Sequence, residues 1–272
     1  MNILLAGANG LLGRSVRDYF SSKGVHVFIL SRREGKKDGD QEIIFPYDRV
    51  NSMVPSINNK FDLLINCAFD YRARNSESKH SPNIIIIDNL IKLYKKNNIR
   101  QFINISSVNA TESNSSKYGQ LKRKIEHIVE KIDGSMSIRL GILKDSGPIG
   151  IVKTLRLINK LIRPFRIRIG SKEIPVHVTE IDHVNEYLFS LMTIENFAKK
   201  ITTLVNKVED LNDIISEQRG CINISIPVSL LRFALKSYEY LQMPVMRFNQ
   251  DSLTNLLSFD PKLLNPVNIE KQ

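Results

Sequence analysis

The chain begins with a short apolar run, Asn2-Ile-Leu-Leu-Ala6, that leads straight into three glycines spaced by three: Gly7-Ala8-Asn9-Gly10-Leu11-Leu12-Gly13. A helical pattern follows, with Leu12, Val16, Tyr19 and Phe20 on one face and Gly24 closing it. Strand, glycine turn and helix in that order constrain the fold more than any other feature. Gly7 permits the tight turn, Gly10 lets the backbone approach a pyrophosphate, and Gly13 lets the helix pack on the strand. Free N–H groups at the helix start, together with its dipole, favour an anion there. The pattern predicts a dinucleotide-binding turn; the bland alternative is a glycine turn with no ligand.

The segments behind it keep the same rhythm. Val25–Leu30 is apolar on both faces, as a strand inside a parallel sheet must be. Glu42–Phe45, Phe61–Ala68, Gln101–Ile105 and Ser137–Leu140 read as further strands, with helical periodicity over Asn83–Asn97 and Tyr118–Lys131. Short apolar strands alternating with amphipathic helices predict an α/β fold, a Rossmann-type doubly wound parallel sheet with right-handed crossovers. After Leu143 the character changes, and the rhythm returns at Val176–Met192 and at Cys221–Ile226. The expected organisation is a dinucleotide-binding domain over residues 1–145, rejoined by 176–226. Residues 146–175 and 227–272 are expected to form a small, discontinuous substrate-binding region.

At 272 residues, with 42% hydrophobic and 25% charged residues, the chain suits one globular domain with a modest cap. The two cysteines, Cys67 and Cys221, form no CxxC pair, so neither a disulfide scaffold nor a metal site is expected. They read as two thiols in a reducing compartment. The formal net charge of +11 attracts polyanions without choosing among them. Seven basic residues and no acidic one fall between Lys153 and Lys172, and Arg163, Arg166 and Arg168 among them are candidates to hold a substrate's diphosphate. A solvated charged face is the alternative. No stretch reaches the roughly 18 apolar residues of a membrane span. The apolar start lacks the basic flank of a signal peptide, so a soluble cytoplasmic protein is expected. A membrane-surface helix through Ile151, Val152, Leu155, Ile158 and Ile162 is a weaker reading than a core-facing one. No nucleic-acid module is visible, and nucleic-acid binding is not expected.

The second strand ends in Ser31-Arg32-Arg33, where an NAD-selective turn would carry an acid for the ribose diol. No carboxylate there repels a 2′-phosphate, and either arginine could grip one. NADP is thus expected ahead of NAD, although Glu34 is close enough in sequence to reach a ribose.

The glycine turn, the Ser106-Ser107 pair ending a strand, and Tyr118-Gly-Gln-Leu-Lys122 together resemble the extended short-chain dehydrogenase/reductases. That group is the NAD-dependent epimerase/dehydratase family and includes nucleotide-sugar-modifying enzymes. The resemblance covers residues 1–145 well, and Val176–Val184 looks like the later family segment that returns to the core. Tyr118 and Lys122 are four apart and share a helix face. An ammonium beside a phenol favours phenolate and brings its pKa toward neutrality. The phenol can then exchange a proton with a substrate hydroxyl or carbonyl while a nicotinamide exchanges hydride. The resemblance implies that Lys122 also bonds the nicotinamide ribose and that Ser107, the second serine of its pair, donates to the carbonyl oxygen. It further implies cofactor contacts by Asn9, Leu11, Leu12 and Ser106, by Asp48 at the adenine amine, by Cys67 and Ala68, and by Gly141 and Ile142 beside the nicotinamide. For Cys67 a plain core role is equally compatible.

Two departures shape the expected activity. Tyr118 follows Ser107 by only eleven positions, a trimmed rim for this group, and Ser107 is followed by Val108-Asn109 instead of the Asp-Glu pair of sugar dehydratases. Elimination needs an acid and a base on adjacent carbons, so dehydration is disfavoured. The leading expectation is NADPH-dependent reduction of a 4-keto sugar nucleotide in surface polysaccharide synthesis. NAD-dependent 4-epimerisation and a dinucleotide-binding protein with a vestigial site are the alternatives. A homodimer is compatible with all three.

Overall fold

The computed structural model describes residues 1–33, 41–71, 81–144, 159, 165–215, 222–240 and 250–264. Its first half runs β1 (Asn2–Ala6), α1 (Leu11–Ser22), β2 (His26–Ser31), β3 (Gln41–Ile44), β4 (Leu63–Asn66), α2 (Pro82–Lys96), β5 (Gln101–Ser107), α3 (Lys117–Glu130) and β6 (Ser135–Leu140). Then come β7 (Ile142–Lys144), β8 (Phe165–Ile169), β9 (Pro175–Glu180), α4 (Ile181–Ser190), β10 (Ile201–Leu204), β11 (Lys207–Asp210), α5 (Leu211–Ile215), β12 (Ile222–Ile226), α6 (Val228–Tyr240) and α7 (Gln250–Leu257).

Seven strands form one parallel sheet in the order β10-β6-β5-β4-β1-β2-β3. The chain winds outward from β1 through β2 and β3 on one side, and from β4 through β5 and β6 on the other. The order therefore reverses between β1 and β4, and the crevice above the carboxyl ends of those two strands is where such sheets bind ligands. This is the doubly wound α/β fold that the alternation of segments predicts.

Alternate residues of each strand feed two separate cores. Ile3, Leu5, Leu63, Ile65 and Ile103 pack with Val16 and Phe20 of α1 and with Val184 and Leu188 of α4. Leu4, Ala6, Leu64 and Phe102 pack on the opposite side with Ile87 and Leu90 of α2 and Leu121 and Ile125 of α3. Burial on both faces is why these strands carry almost unbroken apolar runs. Asn185 of α4 donates to Ser15 Oγ of α1 at 2.8 Å and ties together the two helices on the first face.

The later segments divide: α4 packs on the first face of the large sheet and β10 joins its edge, while other strands form smaller sheets. Among the described residues of 176–226, β10 is the strand that joins the large sheet; β9 pairs with β7 and β11, and β12 pairs with β8 in a parallel two-stranded ribbon. The reason lies in the pattern Ile222-Asn-Ile-Ser-Ile226, which alternates apolar and polar. Such a strand can bury one face but not the two that a place inside the parallel sheet demands. The three-stranded sheet meets the large one where Gly141 N donates to Thr179 Oγ1 (2.8 Å), which donates to Leu204 O (2.6 Å). No described helix is long and apolar enough to cross a membrane, and no metal-holding group of His, Cys, Asp or Glu occurs among the described residues.

Candidate active site

The glycine turn closes with Gly10 N donating to Gly7 O at 2.9 Å. Gly7 has φ +80°, and a Cβ there would lie 2.6 Å from Ala68 N on the neighbouring β4 loop. A Cβ on Gly13 would lie 2.2 Å from Gly7 O, so only glycine lets α1 approach its own turn. Around Gly10 the nearest atom to an added Cβ is Gly7 O at 3.2 Å. Gly10 caps α1 without a side-chain hydrogen bond, and no acid stands in the helix's first turn. Asn9, Leu11 and Leu12 lie in this same turn and helix start. The backbone thus presents unfilled N–H groups on an uncluttered surface, which fits a dinucleotide's pyrophosphate.

At the end of β2, Ser31 accepts a backbone bond from Phe45 at 2.8 Å. Arg33 is exposed. Arg32 pairs with Asp48, Nη1 to Oδ2 at 2.9 Å. The loop carrying Asp48 is fixed by buried Asn89 of α2, whose amide donates to Tyr47 O (3.0 Å) and Arg49 O (2.9 Å). Two residues assigned to separate parts of a cofactor therefore form one unit. Glu34 lies outside the described residues.

A buried polar ladder underlies the centre of the crevice. Asn66 of β4 donates to Asn104 of β5 at 2.9 Å, and Asn104 donates to Ser137 of β6 at 3.3 Å. Asn66 Oδ1 also receives Ala68 N at 3.0 Å and so shapes the loop after β4. Asn83 of α2 exchanges two bonds with the Asp70 backbone, at 2.7 and 3.0 Å, and holds the rest of that loop. Cys67 sits half-buried between these supports, its thiol pushed up to about 12 by burial with Lys122 opposing the rise. At neutral pH it is a protonated, unreactive thiol.

Helix α3 brings Tyr118 and Lys122 to this loop. Its N-cap is Ser116, whose Oγ accepts from Gly119 N at 3.0 Å. Lys122 is buried, donates to Ile105 O at 3.0 Å, and stands 4.3 Å from the centre of the Phe69 ring. Burial lowers its pKa to about 8 against the attraction of Glu126 and Cys67. Glu126 is itself 1% exposed and receives both arms of Arg139, at 2.9 and 2.7 Å. The Tyr118 ring meets Phe69 edge-on at 5.4 Å and lies nearly parallel to Tyr71, 13° apart with centroids at 6.4 Å. Phe69 therefore touches both members of the tyrosine–lysine pair.

Ser106 and Ser107 end β5, one residue beyond the carbonyl that Lys122 bonds. Ser107 Oγ accepts from Asn109 N at 3.3 Å, whereas the buried Ser106 Oγ has no hydrogen-bond partner. Such an orphaned hydroxyl at a crevice edge fits a place kept for a ligand's polar atom. Gly141 joins β6 to β7, and Ile142 begins β7 opposite Val178. Of the substrate candidates, Arg168 pairs with Asp210 at 3.4 Å in the two-stranded ribbon region, and Arg166 lies opposite Asn223 in β8. Arg163 and the segment 151–158 lie outside the described residues, as does Cys221.

Phe69, Tyr71, Asn66 and Asn104 are the site residues that sequence reasoning missed. The two asparagines were detectable as polar interruptions in apolar runs, and they pair in register on neighbouring strands. The aromatics follow a strand without any periodic signal.

Residues 3–210 match the NAD dependent epimerase/dehydratase family, and the chain belongs to that family. Its fold is similar to UDP-N-acetylglucosamine 4-epimerase from Bacillus cereus, at TM-score 0.65 and 15% identity, covering 94% of this chain and 99% of that one. It is also similar to a UDP-galactose 4-epimerase (TM-score 0.64, 15% identity, 84% and 86% covered). A third likeness is to MoeE5 in complex with UDP-glucose and NAD (TM-score 0.61, 13% identity, 84% and 85% covered). A search of curated proteins gives no match.

Proposed function

We propose that the chain is an NAD-dependent 4-epimerase of a nucleotide-linked sugar, with Tyr118 as its proton-transfer residue. One observation carries this reading: Tyr118 and Lys122 meet on Phe69 beside the carboxyl ends of β4 and β5, next to the crevice where the sheet order reverses. When bound, NAD supplies an acceptor and later a donor of hydride at one sugar carbon. The protein's own residues do the rest. Tyr118 takes the proton of the sugar hydroxyl and gives it back to the carbonyl oxygen after the sugar has turned its other face. Lys122, charged below about pH 8, favours the phenolate form of Tyr118. Ser107 steadies the carbonyl oxygen, and the Gly7–Gly13 turn and Ser106 hold the dinucleotide.

The solved relatives support epimerisation over reduction, since two of those named above are 4-epimerases. NADP-dependent reduction is the second reading, favoured by Arg32 and Arg33 and by the absence of an acid within Ser31–Arg33. The Arg32–Asp48 pair argues for NAD, because a 2′-phosphate gripped by Arg32 would stand beside the Asp48 carboxylate.

The test is to identify the dinucleotide that copurifies, then to incubate the enzyme with UDP-glucose and UDP-N-acetylglucosamine without added reductant. Bound NAD and formation of the 4-epimer are expected. Turnover only of a keto sugar nucleotide with NADPH would replace this reading with the reductase one.

A further inference from the structure

Helix α3 has no acidic residue in its first turn, and its opening N–H groups need partners from elsewhere. Ser116 supplies one. The next two come from a segment more than 130 residues away: Asp251 of α7 receives Lys117 N on Oδ1 at 2.6 Å and Tyr118 N on Oδ2 at 3.3 Å. One turn further along α7, Asn255 Oδ1 receives the Ser116 hydroxyl at 2.5 Å, and its amide donates back to Asp251 at 3.4 Å. One face of α7 thus grips the Lys117 and Tyr118 backbone and the Ser116 hydroxyl. A carboxylate at this place also complements the positive end of the α3 dipole.

The grip is anchored at both ends. Leu253 of α7 is fully buried with Leu235 of α6. Leu257, at the far end of α7, lines a cavity of about 370 Å³ with Gly170, Lys172, Ile174 and Val228. Beyond the helix, Phe259 stacks on the buried His177 ring with centroids 4.6 Å apart, and His177 Nε2 meets Asp260 O at 2.9 Å. The carboxylate is therefore held by a packed helix while it fixes the backbone of the proposed acid–base residue.

We infer that Asp251 is a positioning residue for Tyr118, setting where the phenol stands relative to the crevice. This rests on the reading of Tyr118 as the proton-transfer residue. A misplacement of about 1 Å of a reacting group can cost on the order of a hundredfold in rate, so a lost grip is felt in turnover before it is felt in binding.

The experiment compares wild type with Asp251→Ala, Asp251→Asn, Asn255→Ala and Tyr118→Phe, using UDP-glucose and UDP-N-acetylglucosamine as substrates. Asp251→Ala is expected to lower kcat by about tenfold or more with KM changed less than about twofold. Asp251→Asn, which keeps one acceptor oxygen, is expected to recover part of the loss. Without substrate, hydrogen exchange at the Lys117 and Tyr118 amides is expected to quicken in Asp251→Ala and Asn255→Ala. Wild-type kcat in Asp251→Ala with Tyr118→Phe inactive would overturn the inference alone, as would unchanged exchange. Full activity in Tyr118→Phe, or a wild type silent toward both sugars, would overturn the functional reading and this inference with it.

Discussion

The Lys122 ammonium stands 4.3 Å from the centre of the Phe69 ring, a buried cation over an aromatic face. The ring offsets a little of the charge's lost hydration, yet burial still brings the lysine down to about 8. The folded state therefore holds this proton more weakly than the unfolded chain, whose lysine titrates near 10.5. Stability contributed by this group should rise as pH climbs from about 8 to 10.5. Urea unfolding across that interval should show the rise in wild type and lose this contribution in Lys122→Met. Activity should fall over the same range, as the charge that favours phenolate disappears.

The Arg32–Asp48 pair sets the second expectation. Asp48→Asn leaves the guanidinium without its anion and should shift preference from NAD toward NADP by about tenfold, equivalent to ~1.4 kcal/mol. Titration of both dinucleotides into each protein reads the ratio directly. An unchanged ratio would mean that Arg32 takes no part in selectivity.

Beneath Lys122, Glu126 and Arg139 form a two-armed pair with the acid almost fully buried. Glu126→Ala strands the Arg139 charge and should destabilise the fold by roughly 3–5 kcal/mol. It also removes an attraction that holds the Lys122 proton, so the lysine should titrate lower still. Chemical denaturation measures the first effect and the alkaline limb of activity the second.

Much of the dinucleotide half was legible in sequence because its strands are buried on both faces and therefore spell out apolar runs, and because Gly7 and Gly13 sit where a Cβ has no room. Tyr118 and Lys122 were legible as a spacing on one helix. Three features were not. Phe69 gains its importance only from a loop shaped by Asn66 and Asn83, which no local pattern reveals. The pairing of Arg32 with Asp48 joins residues that each looked like a separate ligand contact. The hold of Asp251 on α3 spans more than 130 residues, and a single acid on the polar face of an amphipathic helix carries no sign of its partner. The ribbon of β8 and β12 leaves Ile222 and Ile224 exposed, so the alternation of apolar and polar residues in β12 marks no buried face.

Gly13→Ala tests the turn itself. The added carbon would sit 2.2 Å from Gly7 O, so α1 must shift away from the turn that it supports. NAD affinity should fall by more than about tenfold as the N–H groups lose their alignment, a change visible as quenched cofactor retention on gel filtration. Retention equal to wild type would mean that the turn does not hold the pyrophosphate.

The most direct measurement follows epimer formation from UDP-glucose and UDP-N-acetylglucosamine by wild type and Tyr118→Phe, each first shown to hold NAD. Wild type should convert at least one sugar nucleotide to its 4-epimer without external reductant, and Tyr118→Phe should do so at least about a hundredfold more slowly with NAD still bound. Equal rates in the two proteins, or no epimer from wild type, would contradict the assignment of a phenol working in concert with a buried lysine at this crevice.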